Sequence, residues 1–130
     1  MARPSSRHPT ELELAILKIL WRQWPATVRQ VRDALADSRP LAYTSVMTTM
    51  NIMVRKGYLK RHKDGNTYHY SPRVSRQVTS RRMLRDLVSR VFDGSAASLM
   101  LNLLETGDID EGELRKMREL IERKGKERSP

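Results

Sequence analysis

The sequence predicts a mainly α-helical chain of two small domains, interrupted by a single β-hairpin. Three observations carry that expectation. Tyr43–Lys56 repeats apolar side chains at helical spacing opposite a polar stripe. Asp64-Gly65-Asn66 separates two β-prone runs, residues 58–63 and 67–70, which is a strong hairpin signal. Beyond residue 74 the chain reads as three further helices with apolar stripes.

Taken in order, residues 1–8 are polar and basic and are expected to form a flexible tail. Thr10 and Glu13 then have the spacing of a capping box, in which hydroxyl and carboxylate satisfy each other's backbone N–H groups. Leu12, Ile16, Ile19 and Leu20 follow at helical spacing, flanked by Leu17 and Trp21. Trp24-Pro25 ends this helix, because a residue before proline disfavours the helical region. Thr27 and Gln30 repeat the capping box, with Val28, Val31, Ala34 and Leu35 facing inward and Arg29 and Arg32 outward. Asp37-Ser38-Arg39-Pro40 makes a turn. The third helix, Tyr43–Lys56, puts Val46, Met47, Met50, Met53 and Val54 toward the core, and Gly57 terminates it. In the hairpin Tyr68 and Tyr70 share one face, Thr67 and His69 the other, and Ser71-Pro72 ends it. Three helices with a short turn between the second and third, then a hairpin, make a winged helix-turn-helix over residues 9–73.

Residues 74–124 form the second domain. A helix opens at Val74 or Ser75 and reaches Phe92, with Leu84, Leu87, Val88 and Val91 on one stripe. Asp93-Gly94 breaks it, and Ser95 caps a short apolar helix carrying Leu99, Met100, Leu101, Leu103 and Leu104. After a turn at Thr106-Gly107-Asp108, Asp110 and Glu113 cap a last helix with Leu114, Met117, Leu120 and Ile121 as its stripe. The charged residues 125–130 are expected to fray as a second tail. Roughly 50 residues of this kind cannot bury a substantial core alone. Their stripes are nevertheless too apolar to stay wet. A second copy resolves the conflict, and two-fold dimers are the commonest oligomers; this region is therefore expected to be a homodimerisation domain. Packing back onto the first domain is the alternative.

Charge and composition narrow the function. The 130 residues hold 25 Lys+Arg against 15 Asp+Glu, a formal charge of +10. Residues 1–73 carry 13 basic and 5 acidic side chains, and residues 74–130 carry 12 and 10. The front domain therefore faces an anionic partner, with double-stranded DNA as the expected one. Residues 91–114 hold no Lys or Arg but six acids, so this stretch is not expected to face DNA. The absence of cysteine excludes disulfides, thiolate metal sites and cysteine nucleophiles. The start lacks an apolar secretory region, and the longest apolar-rich run, 99–104, is far shorter than the ~18 residues that span a bilayer. A cytoplasmic protein without a membrane partner is expected. No phosphate-cradling glycine loop, metal triad or nucleophile-base pair is present, so the chain is expected to be no enzyme and to take no cofactor. His62 and His69 can approach each other across the hairpin, but with His8 they do not make metal-ligand spacing.

The polar stripe of the third helix carries the functional inference. Thr44, Thr48, Asn51 and Arg55 line up at i, i+4, i+7 and i+11, beside Ser45. Short hydroxyls, an amide and a guanidinium without an acid suit base edges and phosphates. Thr44 and Ser45 sit on the first turn and approach base edges or phosphate. Thr48 offers a hydroxyl and a methyl, Asn51 an adenine edge or phosphate contact, and Arg55 suits phosphate better than guanine. On the wing, Lys60, Arg61, Lys63 and Asn66 are the expected phosphate or minor-groove contacts. Met47, Met50 and Met53 are core residues at helical spacing.

With these residues placed, the chain resembles the penicillinase-repressor family of bacterial regulators, which includes the methicillin-resistance repressors and copper-responsive relatives. The resemblance runs from about Thr10 to Lys124 and rests on several segments together. They are Glu11-Leu12-Glu13 with Ile19-Leu20-Trp21, Thr27-Val28-Arg29-Gln30-Val31, Leu41-Ala42-Tyr43-Thr44-Ser45-Val46-Met47-Thr48, Lys56-Gly57-Tyr58-Leu59, and the wing from Lys63-Asp64-Gly65-Asn66 through Ser71-Pro72. The resemblance implies a homodimeric repressor that reads a palindromic operator with the third helix. A second match, from Asp93-Gly94-Ser95 through Leu103-Leu104-Glu105, implies a bond between Asn102 and Leu103 that a sensor-protease pathway cuts during induction. Those repressors carry Phe where this chain has Leu103. The cysteine-rich metal tail of the copper-responsive branch has no counterpart here. Two other classes remain open: a non-specific architectural nucleic-acid-binding protein using the same basic surface, and a protein-interaction module.

Overall fold

A computed structural model describes residues 8–128. The order is α1 (Glu11–Arg22), α2 (Val28–Leu35), α3 (Tyr43–Lys56), β1 (Leu59–Asp64), β2 (Thr67–Pro72), α4 (Arg76–Val91), α5 (Ala96–Thr106) and α6 (Glu111–Arg128). The fold class is the expected one, mainly helical with a winged helix-turn-helix in front. The described residues gather into two compact units that divide between Arg85 and Asp86, inside α4.

In the first unit both capping boxes are closed. Thr10 Oγ1 accepts from the Glu13 N–H at 3.1 Å while Glu13 Oε1 accepts from the Thr10 N–H at 2.8 Å. Thr27 and Gln30 do the same at 3.2 and 2.8 Å. Ile16, Leu17 and Leu20 of α1, Val31 and Leu35 of α2, and Val46, Met50 and Met53 of α3 meet in one core, closed by Leu59 and Tyr70 of the hairpin. Ala34, expected inward, is exposed, and Leu17, read as a flank, is fully buried. Gly57 ends α3 at φ +86°, with its N–H and that of Tyr58 donated to the Val54 and Met53 carbonyls at 3.1 and 2.9 Å.

Strand β1 is shifted by one residue from the expected run, leaving out Tyr58 and taking in Asp64, and β2 extends the second run through Ser71-Pro72. Asp64 pairs with Thr67, so Gly65 and Asn66 are the turn. Gly65 takes φ +64°, as glycine at the first central position of a two-residue hairpin loop does. A single bridge beside the two-stranded hairpin escapes sequence reading. Ala26 pairs with Tyr70, exchanging N–H···O bonds of 3.0 and 2.8 Å, and ties the α1–α2 loop to the wing. The Trp21 indole N–H donates to the Val74 carbonyl at 2.9 Å and holds the segment that leaves the wing.

In the second unit the breaks fall where the sequence puts them. Asp93 and Gly94 take φ +49° and +83°, and the Gly94 N–H closes on the Val88 carbonyl at 2.9 Å. Ser95 Oγ accepts from the Ser98 N–H at 3.1 Å. The Asp110 carboxylate accepts the Glu113 N–H at 2.8 Å, and that bond holds its pKa below the usual carboxylate range. Residues 125–128, expected to fray, continue α6 as helix; residues 129–130 and the expected tail 1–7 lie outside the described residues. Neither α5 nor α6 buries a single side chain.

Candidate nucleic-acid interface

Helix α3 is fixed from behind by its buried residues and by an ion pair that sequence spacing does not reveal. Lys56 Nζ donates to both Glu13 oxygens at 3.1 and 3.0 Å. Glu13 is only 2% exposed, so one carboxylate caps α1 and anchors the end of α3. Tyr58 lies beside this pair. Its pKa is raised by burial, and further by the Glu13 charge, against a lowering from Lys56, whose ammonium lies 6.0 Å from the ring.

The outward face of α3 presents Thr44, Ser45, Thr48 and Arg55, all exposed. Thr49 is turned from that task, its hydroxyl donating to the Ser45 carbonyl at 2.9 Å. The start of α3 differs from its predecessors. Ala42 occupies the N-cap and supplies no side-chain bond, and its carbonyl takes the Ser45 and Val46 N–H groups, so those of Tyr43 and Thr44 are left for another acceptor.

Asn51 occupies a different position from its neighbours on the stripe. Its Oδ1 accepts two hydrogen bonds from the wing, from Arg61 Nη1 at 2.7 Å and from the Tyr70 hydroxyl at 2.8 Å. Asn51 is the joint between α3 and the hairpin, and its carbonyl oxygen is already occupied. The same joint orders Arg61, whose guanidinium carbon lies 4.3 Å above the Tyr68 ring. Lys63 Nζ approaches that ring at 5.9 Å.

Strand alternation sorts the remaining wing cations. Arg61 and Lys63 pair with Tyr70 and Tyr68 and share their face, the side that meets Asn51. Lys60 lies on the opposite face, with His62 and His69, whose rings stack at 5.6 Å. Asn66 sits at the tip. The Asn51 contacts thus join α3, which exposes Thr44, Ser45, Thr48 and Arg55, to the wing face of Arg61 and Lys63, while Lys60 lies on the other face of the wing. Sequence reading missed Tyr70 as a member of the site. Its alternation with Tyr68 was visible, but nothing local says that the shared face meets Asn51.

Asn102 and Leu103 lie within α5, both exposed. The Asn102 carbonyl accepts the Thr106 hydroxyl at 2.7 Å and the Leu103 carbonyl accepts the Gly107 N–H at 2.7 Å. The bond between them is held in helical geometry. Among the described residues, no group of three or more His, Asp or Glu side chains is placed to hold a metal, and no helix is long and apolar enough to cross a membrane.

Comparison with known proteins gives consistent matches. The penicillinase repressor family model matches residues 9–123. The transcriptional regulator BlaI of Mycobacterium tuberculosis is 32% identical over 105 residues, which is 79% of this chain and 76% of that protein. The penicillinase repressor of Bacillus licheniformis is 21% identical over 113 residues, covering 87% and 88%. Among solved structures, the DNA-binding domain of the repressor BlaI superposes with a TM-score of 0.48 at 22% identity, over 55% of this chain and 90% of that one.

Proposed function

The chain belongs to the penicillinase repressor family, and from that premise we propose that it is a sequence-specific repressor acting as a homodimer on a palindromic operator. The family and its relatives are transcriptional repressors, which are not enzymes. The observation that supports the reading is the Asn51 joint, which ties the helix bearing the exposed hydroxyls to the wing face bearing Arg61 and Lys63. On that reading Thr44, Ser45 and Thr48 meet base edges, with Arg55, Arg61 and Lys63 on phosphates. The uncapped start of α3 offers its N–H groups to a phosphate as well. Lys60, on the far face of the wing, and Asn66, at its tip, contribute through the neighbouring backbone or the minor groove.

The homodimer is supported by the bare apolar side chains of the second unit. Relief by proteolysis is the reading supported by family membership together with the exposed Asn102 and Leu103. A sensor protease would have to unwind α5 locally to reach that bond, since it lies inside the helix and its Asn102 carbonyl accepts the Thr106 hydroxyl. The decisive experiment selects duplexes from a randomised pool, then titrates the best against its scrambled version at fixed salt. Two inverted half-sites and a preference of at least ~1,000-fold are expected. Binding of both duplexes within a few-fold would instead identify a non-specific architectural protein.

A further inference from the structure

The first unit holds a cavity that the proposed DNA surface does not use. It lies where the end of α1 meets the segment leaving β2, and its volume is about 680 Å³. Its apolar walls include Trp21 and Trp24, and four cations surround it, Lys18, Arg22, Arg73 and Arg76, without any carboxylate in the lining. None of these four cations has an ion-pair partner among the described residues. Trp21 is locked in place by its bond to the Val74 carbonyl. Trp24 is 62% exposed, an unusual cost for so large an apolar surface.

We infer that this groove binds a small organic anion with a flat, unsaturated body, such as an aryl carboxylate or aryl phosphate. The volume falls in the range of small-molecule sites. The indoles supply a stacking face, and clustered guanidinium groups match a carboxylate or phosphate in charge and geometry. A DNA backbone would use the cations and leave the indoles wet. The site is also remote from the wing tip. Pro72 stands five residues along β2 from Thr67, about 17 Å at the rise of a strand.

The test uses the full chain with ¹⁵N-labelled tryptophan, whose two indole N–H groups report from inside the groove. Titration with 2-naphthoate is expected to shift the Trp24 resonance saturably, with a Kd below about 1 mM. The neutral 2-naphthalenemethanol and inorganic phosphate should each bind at least about tenfold more weakly, one lacking the charge and the other the flat body. By calorimetry, Trp24→Ala and the double variant Arg22→Ala/Arg73→Ala should each weaken 2-naphthoate by about tenfold or more, and duplex affinity should stay unchanged. Both variants alter exposed side chains, so the core is untouched. Equal binding of the neutral analogue, or shifts that never saturate, overturns the proposal. So does a loss of duplex affinity with a shallower salt dependence in Arg22→Ala/Arg73→Ala, which would assign those cations to DNA phosphates.

Discussion

Glu13 has two roles in one carboxylate, and sequence discloses only the nearer one. The capping box with Thr10 is a spacing of three residues and is therefore legible; the pairing with Lys56 spans 43 residues and arises only when α1 and α3 pack. Breaking a buried pair leaves an uncompensated charge, but Lys56 keeps 24% of its side chain exposed, which softens the cost. Glu13→Ala loses cap and pair together and is expected to destabilise by about 2–3 kcal/mol. Glu13→Gln preserves the cap, since glutamine serves at that position, and should cost clearly less. Urea midpoints of the two variants check this ordering. Glu13→Gln should also lower the Tyr58 pKa, because it removes one of the two influences that raise it. A raised tyrosine pKa contributes stability that is complete below pH 10 and is lost as pH climbs through the folded-state value. The variant should therefore lose that contribution at lower pH than the parent, as followed by NMR of the Tyr58 ring. Among the exposed residues, Thr48→Ala should narrow the preference for the selected operator more than it lowers overall affinity. Lys63→Ala should weaken all duplexes alike and flatten the salt slope by about one ion. Equal effects of the two on operator and scrambled duplex would remove Thr48 from base readout.

At the scale of elements, α3 and the wing act as one piece because Asn51 and Tyr70 join them. Periodicity places Asn51 correctly on the polar stripe of α3, and hairpin alternation places Tyr70 beside Tyr68. What neither pattern contains is the approach of the two faces, which depends on Leu59 and Tyr70 closing the core behind them. An amide on the polar stripe of α3 thus reads as a base contact from sequence, and the fold gives its oxygen to the wing. The same limitation hid the Ala26 bridge, since a single pair of exchanged bonds leaves no periodic trace. Asn51→Ala strands the Tyr70 hydroxyl without its acceptor inside a residue 1% exposed, and should cost about 1–3 kcal/mol. Tyr70→Phe removes the donor instead and should cost only about 1 kcal/mol. Asn51→Asp keeps an acceptor for both partners and strengthens the bond to Arg61, so stability should hold while affinity for every duplex falls from repulsion of the phosphates. Retained affinity in Asn51→Asp would mean that this joint stands clear of the DNA.

At the scale of the molecule, the two units differ in how they satisfy their apolar side chains, and the difference is legible in the sequence. The winged unit closes a core from three helices and a hairpin. The second unit has the right caps and breaks but buries no side chain of α5 or α6, with Leu101 60%, Leu120 58% and Ile121 54% exposed. Helical stripes can be read from spacing, whereas what covers them leaves no periodic mark in the sequence. If a second copy covers them, charge placed on those stripes should separate the copies without touching the winged core. The double variant Leu101→Glu/Leu120→Glu is expected to sediment as a monomer at concentrations where the parent is a dimer. Its affinity for a single half-site should be unchanged, because nothing in the first unit is altered. Its affinity for the full palindrome should fall by about 100-fold or more, since linking two readers raises the effective concentration of the second on its half-site. A variant that stays dimeric and keeps its affinity for the palindrome would place the interface elsewhere in the chain. A variant that becomes monomeric yet still binds the palindrome as tightly as the parent would show that operator recognition does not depend on two-fold pairing.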